Sequence, residues 1–146
     1  MTVLLDTNII MDALQERQPF DTAAKEILLR SQNGEFSFCF TANTITDIFY
    51  LYSKTRGMKP ARNVLEFLLA AYKIISVSHD DCISALSIPI EDFEDALITH
   101  CAKKADVDYI ITRDEKLLRD DKPVKTISPK DFLEKLSPTS KTASTH

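Results

Sequence analysis

The apolar residues of the chain gather into five short runs, separated by stretches where they recur every three or four positions. The runs are residues 3–5 (V-L-L), 36–40 (F-S-F-C-F), 74–77 (I-I-S-V), 109–112 (Y-I-I-T) and 124–127 (V-K-T-I). Their shortness and their β-branched and aromatic content predict strands. Helical periodicity covers residues 8–16, 22–31, 43–54, 80–86, 92–105, 115–118 and 129–136, and a stretch after Pro60 that carries Val64, Leu65, Leu68 and Leu69. In residues 43–54, for example, Ile45, Ile48, Phe49 and Tyr52 fall at i, i+3, i+4 and i+7, which makes one apolar stripe. Asn33-Gly34, Gly57 and Pro89 act as stop signals between elements. Residues 137–146 (S-P-T-S-K-T-A-S-T-H) have no apolar period and are expected to form a flexible tail after a domain of residues 1–136.

Short strands alternating with helices predict an α/β fold of three layers, α/β/α, with a mostly parallel central sheet of about five strands. In such sheets sites form outside the carboxyl ends of the strands. Four aspartates are directed there. Asp6 directly follows the first strand, and Asp114 follows the fourth after Thr112 and Arg113. Asp47 lies six residues beyond Thr41, one to two turns into the helix after the second strand. Asp95 comes three residues after Asp92, in the first turn of the helix that leads to the fourth strand.

Taken singly, each acid also has a structural reading. Asp6 in D-T-N can cap a helix, Asp92 is a good helix cap, Asp47 suits a solvated helix face, and Asp114 can open a turn. Together at one sheet edge, carboxylates repel one another unless cations neutralise them. An oxygen-only donor set points to Mg²⁺ or Mn²⁺ rather than zinc, and such ions serve phosphoryl transfer.

Composition narrows the class. At 146 residues, 44% hydrophobic and 27% charged, the chain is sized and balanced as one soluble globular domain. No apolar stretch approaches the roughly 20 residues that span a bilayer, and no signal peptide is read at the start, so a cytoplasmic location is expected. A net charge of −4 argues against nucleic-acid binding by bulk positive charge, while leaving room for a local site. Cys39, Cys82 and Cys101 form no metal or redox spacing and read as free thiols in apolar or helical settings; His79, His100 and His146 are equally scattered.

The opening L-L-D-T-N, the D-F-E-D-A-L-I-T-H-C-A of residues 92–102 and the Y-I-I-T-R-D of residues 109–114 resemble the PIN domain, over roughly residues 2–136. The resemblance implies a Mg²⁺- or Mn²⁺-dependent ribonuclease, similar to the VapC-type toxins of bacterial toxin–antitoxin pairs. It implies an RNA substrate, a cognate antitoxin as partner and a homodimer. Carried over by position, Asp6, Asp95 and Asp114 become metal ligands or water activators. Asp47 falls where the family more often has glutamate, and it joins them as a catalytic acid one methylene shorter. Thr7, Asn8 and Thr112 are expected to orient the acids, with Asp92 beside them as a cap.

Between Ile48 and Leu65 there is no acidic residue, whereas Lys54, Arg56, Lys59 and Arg62 crowd together. That pattern fits either a solvated turn or a basic lip that grips RNA phosphates, and Arg113 beside Asp114 is a further candidate. Two rival phosphate chemistries fit less well. A phosphatase using a covalent aspartyl phosphate wants a second aspartate where Asn8 stands. A receiver domain wants an acidic pair at the first strand and a lysine after the last, but Lys125 lies inside that strand. A catalytically idle module that binds RNA or protein, and a housekeeping RNA-processing nuclease, remain as alternatives to the toxin.

Overall fold

In the computed structural model the apolar runs become β1 (Thr2–Leu5), β2 (Ser37–Thr41), β3 (Lys73–Ile75), β4 (Tyr109–Ile111) and β5 (Thr126–Ile127). All four pairings are parallel, in the spatial order β3-β2-β1-β4-β5. The helices are α1 (Thr7–Leu14), α2 (Asp21–Gln32), α3 (Ala42–Arg56), α4 (Met58–Ala71), α5 (His79–Ala85), α6 (Phe93–Lys104), α7 (Glu115–Arg119) and α8 (Pro129–Ser144). The structure describes residues 1–119 and 122–144, with side chains through Leu136; the expected tail, residues 137–146, lies outside the residues whose side chains are described.

Pleating sends alternate side chains of each strand to opposite faces, and both faces are covered. Val3, Leu5, Phe38, Phe40 and Ile111 share one core with residues of α1, α2, α3, α4 and α8. Leu4, Cys39 and Ile110 point the other way, onto Ile98 and Ala102 of α6. Three layers follow directly. Cys39 and Cys101 are buried, Cys82 is half-buried, and all three are free thiols. Among the described residues no helix is long and apolar enough to cross a membrane.

Two strands give up two residues of their apolar runs, and β4 gives up one, Thr112. β3 can pair only as far as β2 extends, and Ile75 is matched to Thr41, the last residue of β2. Val77 instead packs against the small core between α5 and α6. Val124 likewise leaves the ladder and buries against the α6 face of the sheet, so that only Thr126 and Ile127 pair with β4.

The strand order places the reversal of winding between β1 and β4. The chain builds outward from β1 to β3, then returns to add β4 and β5 on the other side. The crevice at that reversal is where a parallel sheet opens to a ligand. The register Leu5↔Ile111 brings Asp6 alongside the end of β4, and the Asp6 amide donates to Ile111 O at 3.1 Å.

The helix α6, which carries Asp95, is fixed from behind by a buried acid. Asp81 in α5 forms a reciprocal cap with Ser78, receiving the Ser78 amide at 2.9 Å while its own amide donates to Ser78 Oγ at 3.2 Å. Its carboxylate also receives Lys104 Nζ at 2.6 Å and contacts His100 Nε2 at 2.9 Å, both from α6. The Lys104 hydrogen bond, then the Ser78 amide and the His100 contact, hold this carboxyl well below the usual range. A carboxyl depressed in this way stabilises the fold above its unfolded value of about 4, and that contribution is lost as pH falls toward the folded value. The melting temperature of Asp81→Asn is therefore expected to lie below wild type at pH 7, with the gap narrowing below about pH 4. Thermal melts followed by circular dichroism across that range check this; a gap independent of pH would contradict it.

Candidate metal centre

At the carboxyl ends of β1 and β4 the chain lines a pocket of about 330 Å³ with Asp6, Thr7, Asn8, Asp47, Tyr50, Leu51, Asp92, Glu94, Asp95 and Asp114. The four aspartates expected to form the site meet here. They arrive from four separate elements: the end of β1, the second turn of α3, the start of α6 and the loop after β4.

Asp6 occupies the cap position of α1, but its side chain makes no cap. Its Oδ2 accepts the hydroxyl of Thr112 at 3.0 Å. The same Thr112 oxygen receives the Asp114 amide at 3.1 Å, so one buried hydroxyl joins two of the acids. Asp114 Oδ1 then accepts the Lys116 amide at 3.0 Å, which closes a turn at the loop. Asp92 caps α6 through Oδ1, which receives the Asp95 amide at 3.0 Å, and it still borders the pocket. Below the acids lies a chain of hydroxyls: Thr7 Oγ1 donates to Thr44 Oγ1 at 3.3 Å, and Thr44 meets Thr41 at 3.2 Å. Asn8 Oδ1 accepts Arg17 Nη1 at 3.1 Å.

The acids raise one another's proton affinity. Asp95 is pushed up to about 6, first by loss of solvent and then by the facing charges of Asp92, Asp114 and Asp6. Asp6 is raised as well, burial outweighing the Thr112 hydrogen bond, with Asp114 adding to the rise. Glu94 goes highest, to about 7: protein atoms crowd its carboxyl, and the Asp47 carboxyl faces it. These shifts mark a site short of positive charge.

Glu94 is the site residue that sequence reasoning missed. It stands one position before Asp95 in D-F-E-D, where an acid in the first turn of a helix is explained by the helix dipole alone. The usable signal was the spacing: three acids in four residues at the start of one helix crowd the same sheet edge.

The basic candidates divide. Lys54 is tied to the pocket through Tyr50, whose hydroxyl its Nζ contacts at 3.2 Å and whose exposed ring lines the acids. Arg56 lies 5.9 Å from the Tyr52 ring, and Lys59 is exposed in the first turn of α4. Arg62 borders a different, apolar groove of about 450 Å³ between α3 and α4, with Ile45, Phe49, Leu65 and Leu69. Arg113 does not line the pocket: its guanidinium grips the buried Asp12 of α1 and lies over the Phe20 ring, close enough for its charge to act on Asp6.

Among the described residues, no three acidic, histidine or cysteine side chains form a ready-made metal cage. The donor chemistry nonetheless fits a hard divalent ion. Among the described residues every charged side chain lining the pocket is a carboxylate, the raised proton affinities mark excess negative charge, and Mg²⁺ binds through only one or two carboxylates plus waters.

A sequence profile of the PIN domain matches residues 2–116. No curated protein sequence matches the chain. Among solved structures, VapBC2 from Rickettsia felis, bound to a DNA fragment from its promoter, aligns with a TM-score of 0.67 at 18% identity, over 88% of this chain and 98% of that one. A toxin–antitoxin complex from Klebsiella pneumoniae aligns with a TM-score of 0.66 at 21% identity, over 87% and 97%. VapC20 from Mycobacterium tuberculosis, a toxin described as cleaving the sarcin–ricin loop, aligns at 0.59 with 13% identity, over 74% and 86%. At these identities the structural likeness establishes the fold, while the sequence profile, which spans most of the chain, establishes the lineage: the chain belongs to the PIN domain family.

Proposed function

We propose that the protein is a Mg²⁺- or Mn²⁺-dependent endoribonuclease that hydrolyses RNA phosphodiester bonds, and that it is the toxin of a toxin–antitoxin pair. The observation that carries this reading is the convergence of Asp6, Asp47, Asp95 and Asp114, with Glu94, on one pocket at the sheet's switch point. PIN domains are typically nucleases, and several solved relatives are toxin–antitoxin complexes.

In this reading Asp6, Asp95 and Asp114 hold the ion, and Asp47 and Glu94 reach it directly or through water. A bound divalent ion supplies a water of lowered pKa and neutralises charge on the phosphate oxygens. The protein's own part is orientation. Thr112 fixes one oxygen of Asp6 at the edge of the pocket. Glu94, outside the set of Asp6, Asp95 and Asp114 and lining the same pocket, is placed to take the proton of an attacking water. Lys54 and Tyr50 offer a cation and an aromatic face beside the acids for the RNA strand. Arg56 and Lys59 extend that basic lip along α3 and α4, while Arg62 stands at the neighbouring apolar groove. The apolar groove between those helices supports a protein partner, an antitoxin or a second copy, docking beside the site.

Purified protein incubated with structured and unstructured RNA is expected to cut in Mg²⁺ or Mn²⁺ and to stop in EDTA. Asp6→Asn and Asp114→Asn are each expected to lower the rate by roughly 10²–10⁴-fold, the scale of a positioned acid–base group. Cutting that survives EDTA would sink the mechanism. Tight RNA binding without cutting would favour the idle module, and cutting without growth inhibition or a neighbouring antitoxin would favour a processing nuclease.

The raised carboxyls also set a pH dependence. Groups whose folded pKa exceeds the unfolded value of about 4 stabilise the fold below that value, and the contribution is lost as pH rises through the folded one. For Asp95 and Glu94 that loss falls between about 4 and the folded values of about 6 and about 7. The metal-free protein is thus penalised by this site at pH 8 relative to pH 5. Millimolar Mg²⁺ is expected to raise the melting temperature more at pH 8 than at pH 5. An equal rise at both would show that the ion binds elsewhere.

A further inference from the structure

α1 carries a carboxylate that the proposed chemistry does not use. Asp12 lies among Ile9, Ile10, Met11 and Ala13, with only 1% of its side chain exposed. A buried carboxylate in apolar surroundings is costly unless it is paired and hydrogen-bonded. Its partner comes from 101 residues away: Arg113 Nε donates to Asp12 Oδ2 at 2.8 Å and Nη2 to Oδ1 at 3.1 Å. The guanidinium also lies 4.1 Å from the centroid of the Phe20 ring. Arg17 approaches Asp12 Oδ1 at 3.7 Å from the other side, while donating to Asn8 of the pocket wall. Two parallel hydrogen bonds and a stacked ring fix a planar guanidinium in one orientation.

The position of that guanidinium matters because of its neighbours. Thr112, before it, bonds Asp6, and Asp114, after it, bonds Thr112. Arg113 is therefore a cation planted between two residues that build the acidic pocket. The Arg113 charge already acts on Asp6 from its tethered place, and an arginine freed there is drawn to pair directly with Asp6 or Asp114.

We infer that Asp12 is a positioning residue for the acidic pocket: its bidentate grip tethers Arg113 on the α1 side of the sheet edge, which keeps the guanidinium out of the acids and holds the Thr112–Asp114 segment in place. The inference rests on reading the pocket as a cation site. Without the tether, an internal arginine competes with the divalent ion for Asp6 and Asp114. With it, the pocket stays anionic.

The test is Mn²⁺ binding, measured by electron paramagnetic resonance titration of the full chain, beside thermal melts of each variant. Asp12→Asn, nearly isosteric, is expected to weaken Mn²⁺ binding by roughly 10–100-fold, the range over which partners of metal ligands act. The double variant Asp12→Asn/Arg113→Gln removes the loose cation and is expected to regain most of the lost affinity. If Asp12→Asn does not fold, Arg113→Lys serves, since lysine keeps the charge but loses the fork, and weaker Mn²⁺ binding is again expected. Mn²⁺ affinity unchanged in folded Asp12→Asn, or a double variant no better than the single one, would overturn the tether. Equal Mn²⁺ binding by wild type and Asp6→Asn would instead overturn the cation-site reading, and the role of Asp12 with it.

Discussion

The hydrogen bond from Thr112 Oγ1 to Asp6 Oδ2 is the contact on which the site depends. It forms only because β1 and β4 run parallel with Leu5 matched to Ile111, so that the residues leaving the two strands stand side by side. A slip of one residue between these strands would turn Leu5 or Ile111 out of its core and separate Asp6 from Thr112. The same pairing that buries the central strands therefore sets the distance between the first and last acids. Fold and site share one register.

The pocket is an electrostatic liability that the rest of the molecule holds in place. Six acidic residues line it, and Asp6, Asp95 and Glu94 show raised proton affinities as they crowd together. Each is carried by an element anchored elsewhere. β1 lies in the centre of the sheet, with Val3, Leu4 and Leu5 fully buried. α6 is pinned to α5 by Asp81, Lys104 and His100, and the loop after β4 is pinned to α1 by Arg113 and Asp12. Two buried acids outside the pocket, each matched with cations, hold the unmatched acids of the pocket in position. Local rules are violated at the functional site and compensated around it, as expected where a ligand supplies the missing charge.

What was legible in the chain follows from how local each signal is. Asp6 and Asp114 stand out because a carboxylate comes directly, or within three residues, after a short apolar strand, and the parallel topology says what a strand end is for. Asp95 was readable because Asp92 marks the start of its helix, and the cap is formed as that spacing implies. Glu94 was hidden by a sufficient local explanation, since an acid in the first turn of a helix already suits the dipole. Arg113 was read as a phosphate contact from its neighbour in sequence, whereas its grip is set by Asp12, 101 positions earlier on α1. No local pattern reveals an ion pair that spans most of the chain. The ends of β3 and β5 were overextended for a related reason: a strand stops where its partner stops, and the partner is not next to it in sequence.

The central claim is that these acids together hold a divalent ion, and it is tested most directly by anomalous diffraction from crystals of the protein soaked in Mn²⁺. The expected result is a Mn²⁺ peak at the ends of β1 and β4, bounded by Asp6, Asp95 and Asp114, with Asp47 or Glu94 within reach directly or through water. Manganese bound only elsewhere, with the pocket's carboxylates uncoordinated at a pH above 7, would contradict it.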